Sequence, residues 1–258
     1  MCYDIALNKK LKNLLRTIPQ LNTAGQLDLD VNTDIDEMDP TWHRIGMSFP
    51  QWPVIVNNSG FKLEKFTWGP IPKMLDTAEK VKKQRQLFLN ARSEKVSEQG
   101  TLWNAIRHQR CIIPVTGFFE YRQIPGWKNK VAYYIKHKEQ DVFFIAGLWA
   151  LSNSWDVDKP ERIPTFTLLT RSANPLMRQI HNGGDNAGRM PMMLTNELAL
   201  RWLQPQLTDA AIQEVLQYEL PVADLDYWPV NSVRKTKPDD DTVITPVTYE
   251  GLPEIVLG

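Results

Sequence analysis

Residues 111–121 read CIIPVTGFFEY, an apolar run that contains Pro114 and Gly117. Its short length and its β-branched and aromatic content are typical of β-strands. Other short runs of this kind lie at 52–56, 131–136, 142–151 and 165–170. Because these runs interleave with helical segments without a regular βαβ repeat, the sequence predicts an α+β fold with a mainly antiparallel β-sheet.

Helical patterns occur in three segments. Residues 77–95 (TAEKVKKQRQLFLNARSEK) and 194–204 (LTNELALRWLQ) predict helices, the second with Thr195 as its N-cap. Residues 7–18 place leucines at helical spacing and predict an amphipathic helix. The chain of 258 residues has no internal repeat, and we expect one domain over residues 2–258.

The charge balance and the cysteine content argue against several classes of protein. Thirty basic and thirty acidic residues give zero formal net charge, which does not indicate a strongly basic nucleic-acid binder but allows a local basic groove. Two distant cysteines predict no disulfide framework, and they and the four histidines lack metal-ligand spacing. No secretory signal or membrane-spanning run is present. We therefore expect a soluble, cytoplasmic monomer without a cofactor or a metal.

Cys2 directly follows the initiator methionine. Removal of Met1 would give it a free α-amine beside a thiol, with ordinary pKa values of about 7.7–8.0 and about 8.5. An amine that is partly unprotonated near neutral pH attacks an aldehyde, and the neighbouring thiol then closes a thiazolidine ring. The alternative is a small buried hydrophobic residue, which is a common environment for free cysteine.

Two further motifs carry candidate functional residues. In NARSE, Asn90, Arg92 and Glu94 alternate, so an extended segment would place them on one face, and the Arg92 guanidinium suits a phosphate. The alternative there is a solvated edge strand. In GFFEY, Glu120 follows an apolar run; burial would make it a general acid and base near neutral pH, whereas an exposed position at a strand end would not.

A glycine-rich segment separates His181 from Arg189, and its alternative interpretation is a surface turn. It contains no GxGxxG or Walker pattern, so a nucleotide-binding site is not indicated. Trp68, Pro70 and Pro72 in FTWGPIP could form a rigid apolar surface for base stacking, or Trp68 could belong to the core.

The order of the motifs resembles the SRAP family, the SOS response-associated peptidases. The resemblance extends from Cys2 to about Pro191 and rests on WGPIP, NARSE, RCIIPVTGFFEY, FIAGLWA, FTLLTRSAN and a histidine followed by RMP. It implies a single α+β domain around a barrel-like, mainly antiparallel sheet with flanking helices. It also implies covalent binding to abasic sites in single-stranded DNA.

The resemblance implies a role for each candidate residue. Cys2 would form the thiazolidine with the ring-opened sugar, Asn90 would hold the cysteine and the sugar, Glu120 would open the sugar and transfer protons, and His181 would assist the Schiff-base step. The implied DNA contacts are Arg92 to a phosphate, Arg189 to the backbone, and Trp68 and Pro72 near a stacking wedge.

Three features differ from the usual family pattern. Tyr3 and Asp4 follow the cysteine where members often have Gly and Arg, the segment NGGDNAG lengthens the gap between His181 and Arg189, and Ser48 stands where an asparagine is common.

Two other functions remain compatible with the sequence. One is an N-terminal-nucleophile hydrolase, in which Cys2 attacks an amide and its own α-amine is the base; the family name itself reflects a proposed self-cleavage that exposes the cysteine. The other is a non-catalytic single-strand binder. A hydrolase would release product, whereas aldehyde capture would leave one protein on each lesion.

Overall fold

The structure is a computed structural model that describes residues 2–9, 40–153 and 161–257. These residues contain thirteen strands and six α-helices, which are joined by 3-10 turns and loops. The strands are β1 (Asp4–Leu7), β2 (Thr41–Ile45), β3 (Gln51–Asn57), β4 (Phe61–Trp68), β5 (Asn90–Arg92), β6 (Arg110–Val115), β7 (Gly117–Arg122), β8 (Val131–His137), β9 (Phe143–Asn153), β10 (Arg162–Ser172), β11 (Arg189–Pro191), β12 (Met193–Leu194) and β13 (Leu225–Val230). The helices are α1 (Ala78–Gln84), α2 (Ser93–Val96), α3 (Leu102–Ala105), α4 (Pro175–Ile180), α5 (Asn196–Trp202) and α6 (Asp209–Gln217).

Five strands close into a barrel in the order β10, β4, β3, β6 and β9, because β9 also pairs with β10. A second sheet has the order β13, β8, β7, β1 and β2, and all of its pairings are antiparallel. Only the pairings of β10 with β4 and with β5 are parallel among the described strands. The predicted α+β fold with a barrel-like, mainly antiparallel sheet is therefore confirmed.

Gly147 allows the barrel strands to pack closely. A Cβ atom at this position would lie 2.3 Å from Cδ1 of Ile113 and 2.8 Å from the carbonyl oxygen of Thr167. The indole of Trp202, at the end of α5, donates to the carbonyl oxygens of Cys111 and Gly147 at 3.1 and 3.2 Å. Helix α5 is thereby fixed against the strands that need this glycine.

The helix predicted over 194–204 is present as α5, and Thr195 caps it by accepting a hydrogen bond from the Leu198 amide. The continuous helix predicted over 77–95 is wrong. Helix α1 passes into a 3-10 turn over Arg85–Phe88, and the chain then extends as β5. Pairing of β5 with β10 satisfies the backbone polar groups that a helix would otherwise satisfy, and this pairing is not visible in local sequence.

The helix predicted over 7–18 begins incorrectly, because Leu7 belongs to β1. The remainder of that segment from residue 10 onward lies outside the described residues.

Candidate functional site

The pairing of β1 with β7 brings the start of the chain to Glu120. Asp4 pairs with Phe119 and Ile5 with Phe118, so the antiparallel register directs residues 2 and 3 toward Glu120 and its neighbour. The side chain of Cys2 is buried, and its Sγ lies 3.7 Å from the Asp4 carbonyl oxygen. Burial raises the pKa of the Cys2 thiol well above its ordinary value, and the nearby charges of Glu120 and Asp4 raise it further. The thiol is thus neutral at physiological pH, and it needs a base when it reacts.

Glu120 is a buried carboxyl group in the middle of β7, with 3% of its surface exposed. Burial raises its pKa to about 8; the charge of Asp4 adds to this rise, and that of Lys130 opposes it. Its Oε1 has no hydrogen-bond partner among the described residues. Glu120 is therefore mainly protonated at neutral pH, with one oxygen available to a ligand.

His181 directly follows α4, and its backbone amide donates to the Met177 carbonyl oxygen at 2.7 Å. Its Nδ1 lies 2.8 Å from the Arg189 carbonyl oxygen, which can only accept, so Nδ1 carries the proton. The other ring nitrogen, Nε2, lies 3.9 Å from Oε2 of Glu120. Burial lowers the pKa of His181 to about 4.

The burial of Glu120 and His181 reverses their ordinary order of acidity. With pKa values of about 8 and about 4, the proton resides on Glu120 at neutral pH, and His181 is a neutral acceptor. The pair can donate a proton from one group and accept one on the other. This is the arrangement required for general acid and base catalysis.

Asn90 lies on β5, which pairs in parallel with β10 at Leu168. Its side chain is 4% exposed, and neither its amide nitrogen nor its amide oxygen has a hydrogen-bond partner among the described residues. An unsatisfied buried polar group costs about 1–3 kcal/mol. A ligand that satisfied the Asn90 amide would remove this cost.

The two predicted arginine contacts lie in different environments. Arg92 is exposed, and its guanidinium is 3.4 Å from the Asn186 side-chain oxygen. Arg189 is buried; its Nη2 donates to Glu94 at 2.9 Å and to the Thr170 carbonyl oxygen at 2.6 Å. This ion pair holds the pKa of Glu94 at about 2. A phosphate contact by Arg189 would compete with Glu94, whereas Arg92 is accessible.

Trp68 and Pro72 are both buried, and no surface of Trp68 is exposed. The indole donates to the Leu89 carbonyl oxygen at 2.7 Å and stacks on Phe166 with ring centroids 5.8 Å apart. The structure therefore places Trp68 in the core, and a base could stack on it only after a rearrangement of the core.

Two polar residues near Cys2, His43 and Tyr121, were not identified from the sequence, and neither was the burial of Asp4 between them. Oδ1 of the buried Asp4 lies 2.7 Å from Nε2 of His43, and Oδ2 accepts a hydrogen bond from the Tyr121 hydroxyl at 3.2 Å. The one available signal was a carboxylate within the otherwise apolar strand DIAL. These contacts hold the segment that carries Cys2.

The described residues contain no group of three or more His, Cys, Asp or Glu side chains arranged to hold a metal ion. None of their helices is long and apolar enough to cross a membrane.

The fold and the site together define a class of protein in which a sheet beside a closed barrel carries a buried cysteine near a buried glutamate and a buried histidine. The family model for SOS response associated peptidase (SRAP) matches residues 1–235, and the chain belongs to this family.

Relatives and solved structures agree with this assignment. The chain is 31% identical over 180 residues to the abasic site processing protein YoqW of Bacillus subtilis, covering 70% of this chain and 74% of that protein. It is 21% identical to the abasic site processing protein HMCES of Rattus norvegicus, covering 90% and 72%. A crystal structure of a Bacteroides thetaiotaomicron protein matches with a TM-score of 0.79 and 28% identity, covering 96% of this chain and all of that one.

Proposed function

We propose that this protein captures abasic sites in single-stranded DNA as a covalent adduct of Cys2. The names of the relatives support abasic-site DNA as the substrate. The observation that carries the mechanism is the position of a buried cysteine, two residues from the start of the sheet pairing, beside Glu120 and His181.

The proposed reaction begins after removal of Met1, by self-cleavage or by another enzyme. The free α-amine of Cys2 attacks C1′ of the ring-opened sugar, and loss of water gives a Schiff base. The Cys2 sulfur then adds to the same carbon, and its proton moves to the nitrogen. One C–N bond and one C–S bond form, one water leaves, and no oxidant or reductant is needed.

Glu120 supplies the first proton in this proposal. An abasic sugar is mostly a closed hemiacetal, so a donor to the ring oxygen is needed before the amine can attack. Glu120 is protonated at neutral pH because burial raises its pKa to about 8. The resulting carboxylate takes up the C1′ hydroxyl proton that ring opening releases, and Glu120 can later relay the proton of the neutral Cys2 thiol to the nitrogen.

His181 and Asn90 have supporting roles. With its proton on Nδ1, His181 presents Nε2 as an acceptor toward Glu120 and can take a proton during loss of water. The unpartnered amide of Asn90 would bind sugar hydroxyl groups or the cysteine nitrogen. The accessible guanidinium of Arg92 would bind a neighbouring phosphate.

A denaturing gel tests the proposal. Protein with a C-terminal tag is incubated with a single-stranded oligonucleotide that contains one abasic site, beside the Cys2→Ala and Cys111→Ala variants. Cys111 is a matched control because it is also a buried free cysteine. We expect a heat-stable shifted band with the parent protein and Cys111→Ala and none with Cys2→Ala. A band that persists in Cys2→Ala would contradict the proposal, and turnover of a peptide substrate without a band would favour the hydrolase.

A further inference from the structure

The last part of the chain crosses the two elements that carry Glu120 and His181. Residues 247–257 run as an irregular segment, yet the half-buried side chains of Leu252 and Ile255 pack against the hydrophobic core. This segment lies beyond the part of the chain that the family model matches. Side-chain packing therefore fixes the segment, although it belongs to neither sheet.

Arg122 attaches this segment to β7, the strand of Glu120. Residues i and i+2 of a strand point to the same face, so Arg122 and Glu120 share one face of β7. The Arg122 side chain is buried, and its guanidinium donates to the carbonyl oxygens of Pro253 at 2.5 Å and Glu254 at 3.3 Å. Because the guanidinium is a rigid fork with several donors, it holds both carbonyl groups in one orientation.

Gln179 attaches the same segment to α4, the helix that His181 follows. Its Nε2 donates to the Val256 carbonyl oxygen at 2.5 Å, and its Oε1 accepts from the Val256 amide at 3.3 Å. One side-chain amide thus satisfies both backbone groups of Val256. The C-terminal segment therefore joins the helix before His181 to the strand that carries Glu120.

Asn182 connects the same two elements directly. It follows His181, and Gln123 follows the last residue of β7. The Gln123 amide donates to Oδ1 of Asn182 at 2.7 Å, and Nδ2 of Asn182 donates to the Gln123 carbonyl oxygen at 2.9 Å. The residue after the histidine is thus fastened to the end of the glutamate strand.

The inserted segment NGGDNAG supplies Asn182 without separating His181 from Arg189. The Gly188 amide donates to the His181 carbonyl oxygen at 2.7 Å, so residues 182–188 form a loop that is closed at its base. Gly188 has φ +70°, a conformation that residues with a side chain rarely adopt. The insertion therefore adds a contact to β7 while Nδ1 of His181 stays 2.8 Å from the Arg189 carbonyl oxygen.

These contacts form a closed ring, in which each of three connections has two hydrogen bonds. We call it the positioning ring, and it consists of Arg122, Gln123, Gln179, Asn182 and residues 253–256. Nε2 of His181 and Oε2 of Glu120 are 3.9 Å apart, which exceeds the length of a hydrogen bond. Their separation therefore depends on how β7 and the end of α4 are held.

We propose that the positioning ring keeps Glu120 and His181 within reach of each other by holding β7 against the end of α4. Arg122, Gln179 and Asn182 are then positioning residues for the reaction. The proposal rests on the proposed function, since it concerns the acid and the base of that reaction. A displacement of catalytic groups by about 1 Å can slow a reaction about 10²-fold, and breaking any one connection opens the ring.

The first test measures the pKa of His181 by NMR titration of the protein without DNA. Burial holds this pKa at about 4, and the nearby charge of Lys130 also lowers it. An open ring would admit water to the end of α4. The pKa of His181 should therefore rise toward its ordinary value of 6.5 in Gln179→Ala and in Asn182→Ala.

Each of these variants has a matched control outside the positioning ring. Gln213→Ala replaces a half-buried helical glutamine on α6, as Gln179→Ala does on α4. Asn58→Ala replaces an exposed asparagine between β3 and β4, as Asn182→Ala does after His181. Both controls should keep the parent pKa of His181 and the parent crosslinking rate.

The second test measures single-turnover crosslinking to a single-stranded oligonucleotide with one abasic site. At saturating DNA, Gln179→Ala and Asn182→Ala should react about tenfold more slowly than the parent. The DNA concentration that gives half of the maximal rate should change by less than about twofold, because the ring acts on the chemical step. In a Glu120→Gln background the same substitutions should have little further effect, since they act through Glu120.

Shortening the chain tests the C-terminal segment itself. Deletion of residues 253–258 removes the contacts to Arg122 and Gln179, whereas deletion of residues 257–258 leaves these contacts in place. The longer deletion should raise the pKa of His181 and slow crosslinking, and the shorter one should match the parent. If thermal unfolding shows that the longer deletion does not fold, Gln179→Ala and Asn182→Ala decide the question, because neither side chain is buried.

The two tests separate this proposal from the proposed function. Ring variants that crosslink at the parent rate would overturn the positioning ring, as would variants that are slowed equally in the Glu120→Gln background. A parent protein that forms no crosslink would refute the proposed function, and the pKa of His181 then decides on the ring. A rise of this pKa in the ring variants alone would support the ring, and an unchanged value would overturn it.

Discussion

Nε2 of His181 lies 3.9 Å from Oε2 of Glu120, with the histidine oriented by the Arg189 carbonyl oxygen on its other nitrogen. This distance exceeds that of a hydrogen bond. A modest movement on substrate binding would allow a proton on Glu120 to be shared with His181. In the proposed reaction, this movement would accompany the binding of the abasic sugar.

Glu120→Gln should slow crosslinking more than it weakens DNA binding. Glutamine preserves the shape but cannot donate a proton to the closed sugar, so we expect the crosslinking rate to fall about 10²-fold or more. DNA affinity should change less than about twofold, because Glu120 is buried and makes none of the proposed phosphate contacts. Rates from denaturing gels and affinities from gel shifts measure the two quantities. Equal losses in both would exclude the proton-transfer role.

The stability of the protein should depend on pH through Glu120. Its pKa is about 8 in the folded state, against an ordinary value of 4.5, so the folded protein binds more protons than the unfolded chain between these values. Glu120 therefore reduces the free energy of unfolding as the pH rises from 4.5 to 8. The free energy of unfolding of Glu120→Gln, taken relative to that of the parent protein, should therefore be higher at about pH 9 than at about pH 5. The difference between the two pH values should reach up to a few kcal/mol. Urea unfolding at both pH values checks this, with the exposed Glu250→Gln as control; a difference that does not change with pH would contradict it.

Substitutions at Arg189 and Arg92 should have different effects, the first on stability and the second on DNA binding. Arg189→Ala removes the contacts to Glu94 and Thr170 and should lower the free energy of unfolding by about 1–3 kcal/mol. Arg92→Ala alters an exposed side chain and should change stability by less than about 0.5 kcal/mol while reducing the salt slope of single-strand binding by about 0.7. Urea unfolding and salt titrations measure both. A stable Arg189→Ala variant would show that the Glu94 pair is not structural.

Trp68→Ala should be destabilising rather than specifically defective in DNA binding. The indole is fully buried against Phe166 and hydrogen-bonded to Leu89, so its removal should cost about 3–5 kcal/mol. Per folded molecule, DNA affinity should equal that of the parent. A variant of parental stability that binds DNA poorly would instead support a wedge at Trp68.

The sequence allowed prediction of the strands and of the chemical types at the site, because short apolar runs, β-branched and aromatic content, and an acid within an apolar run are local signals. It could not give the partners of those residues. Glu94 and Arg189 are 95 positions apart, and their ion pair depends on the pairing of β5 and β11 with β10.

The environment of Asp4 was equally inaccessible from sequence. In the sequence, nothing distinguishes Asp4 from an exposed acidic residue beside Cys2, yet sheet pairing buries it against His43 and Tyr121. The continuous helix expected over 77–95 failed for a related reason, since strand pairing with β10 overrode local helical propensity at Asn90–Arg92.

The most direct measurement of the central claim is the intact mass of the adduct with an oligonucleotide that contains one abasic site, followed by peptide mapping. We expect the mass of the protein without Met1 plus the oligonucleotide minus one water, with the DNA attached to the peptide that begins at Cys2. An adduct attached to any other residue, or no adduct from protein that has lost Met1, would contradict it.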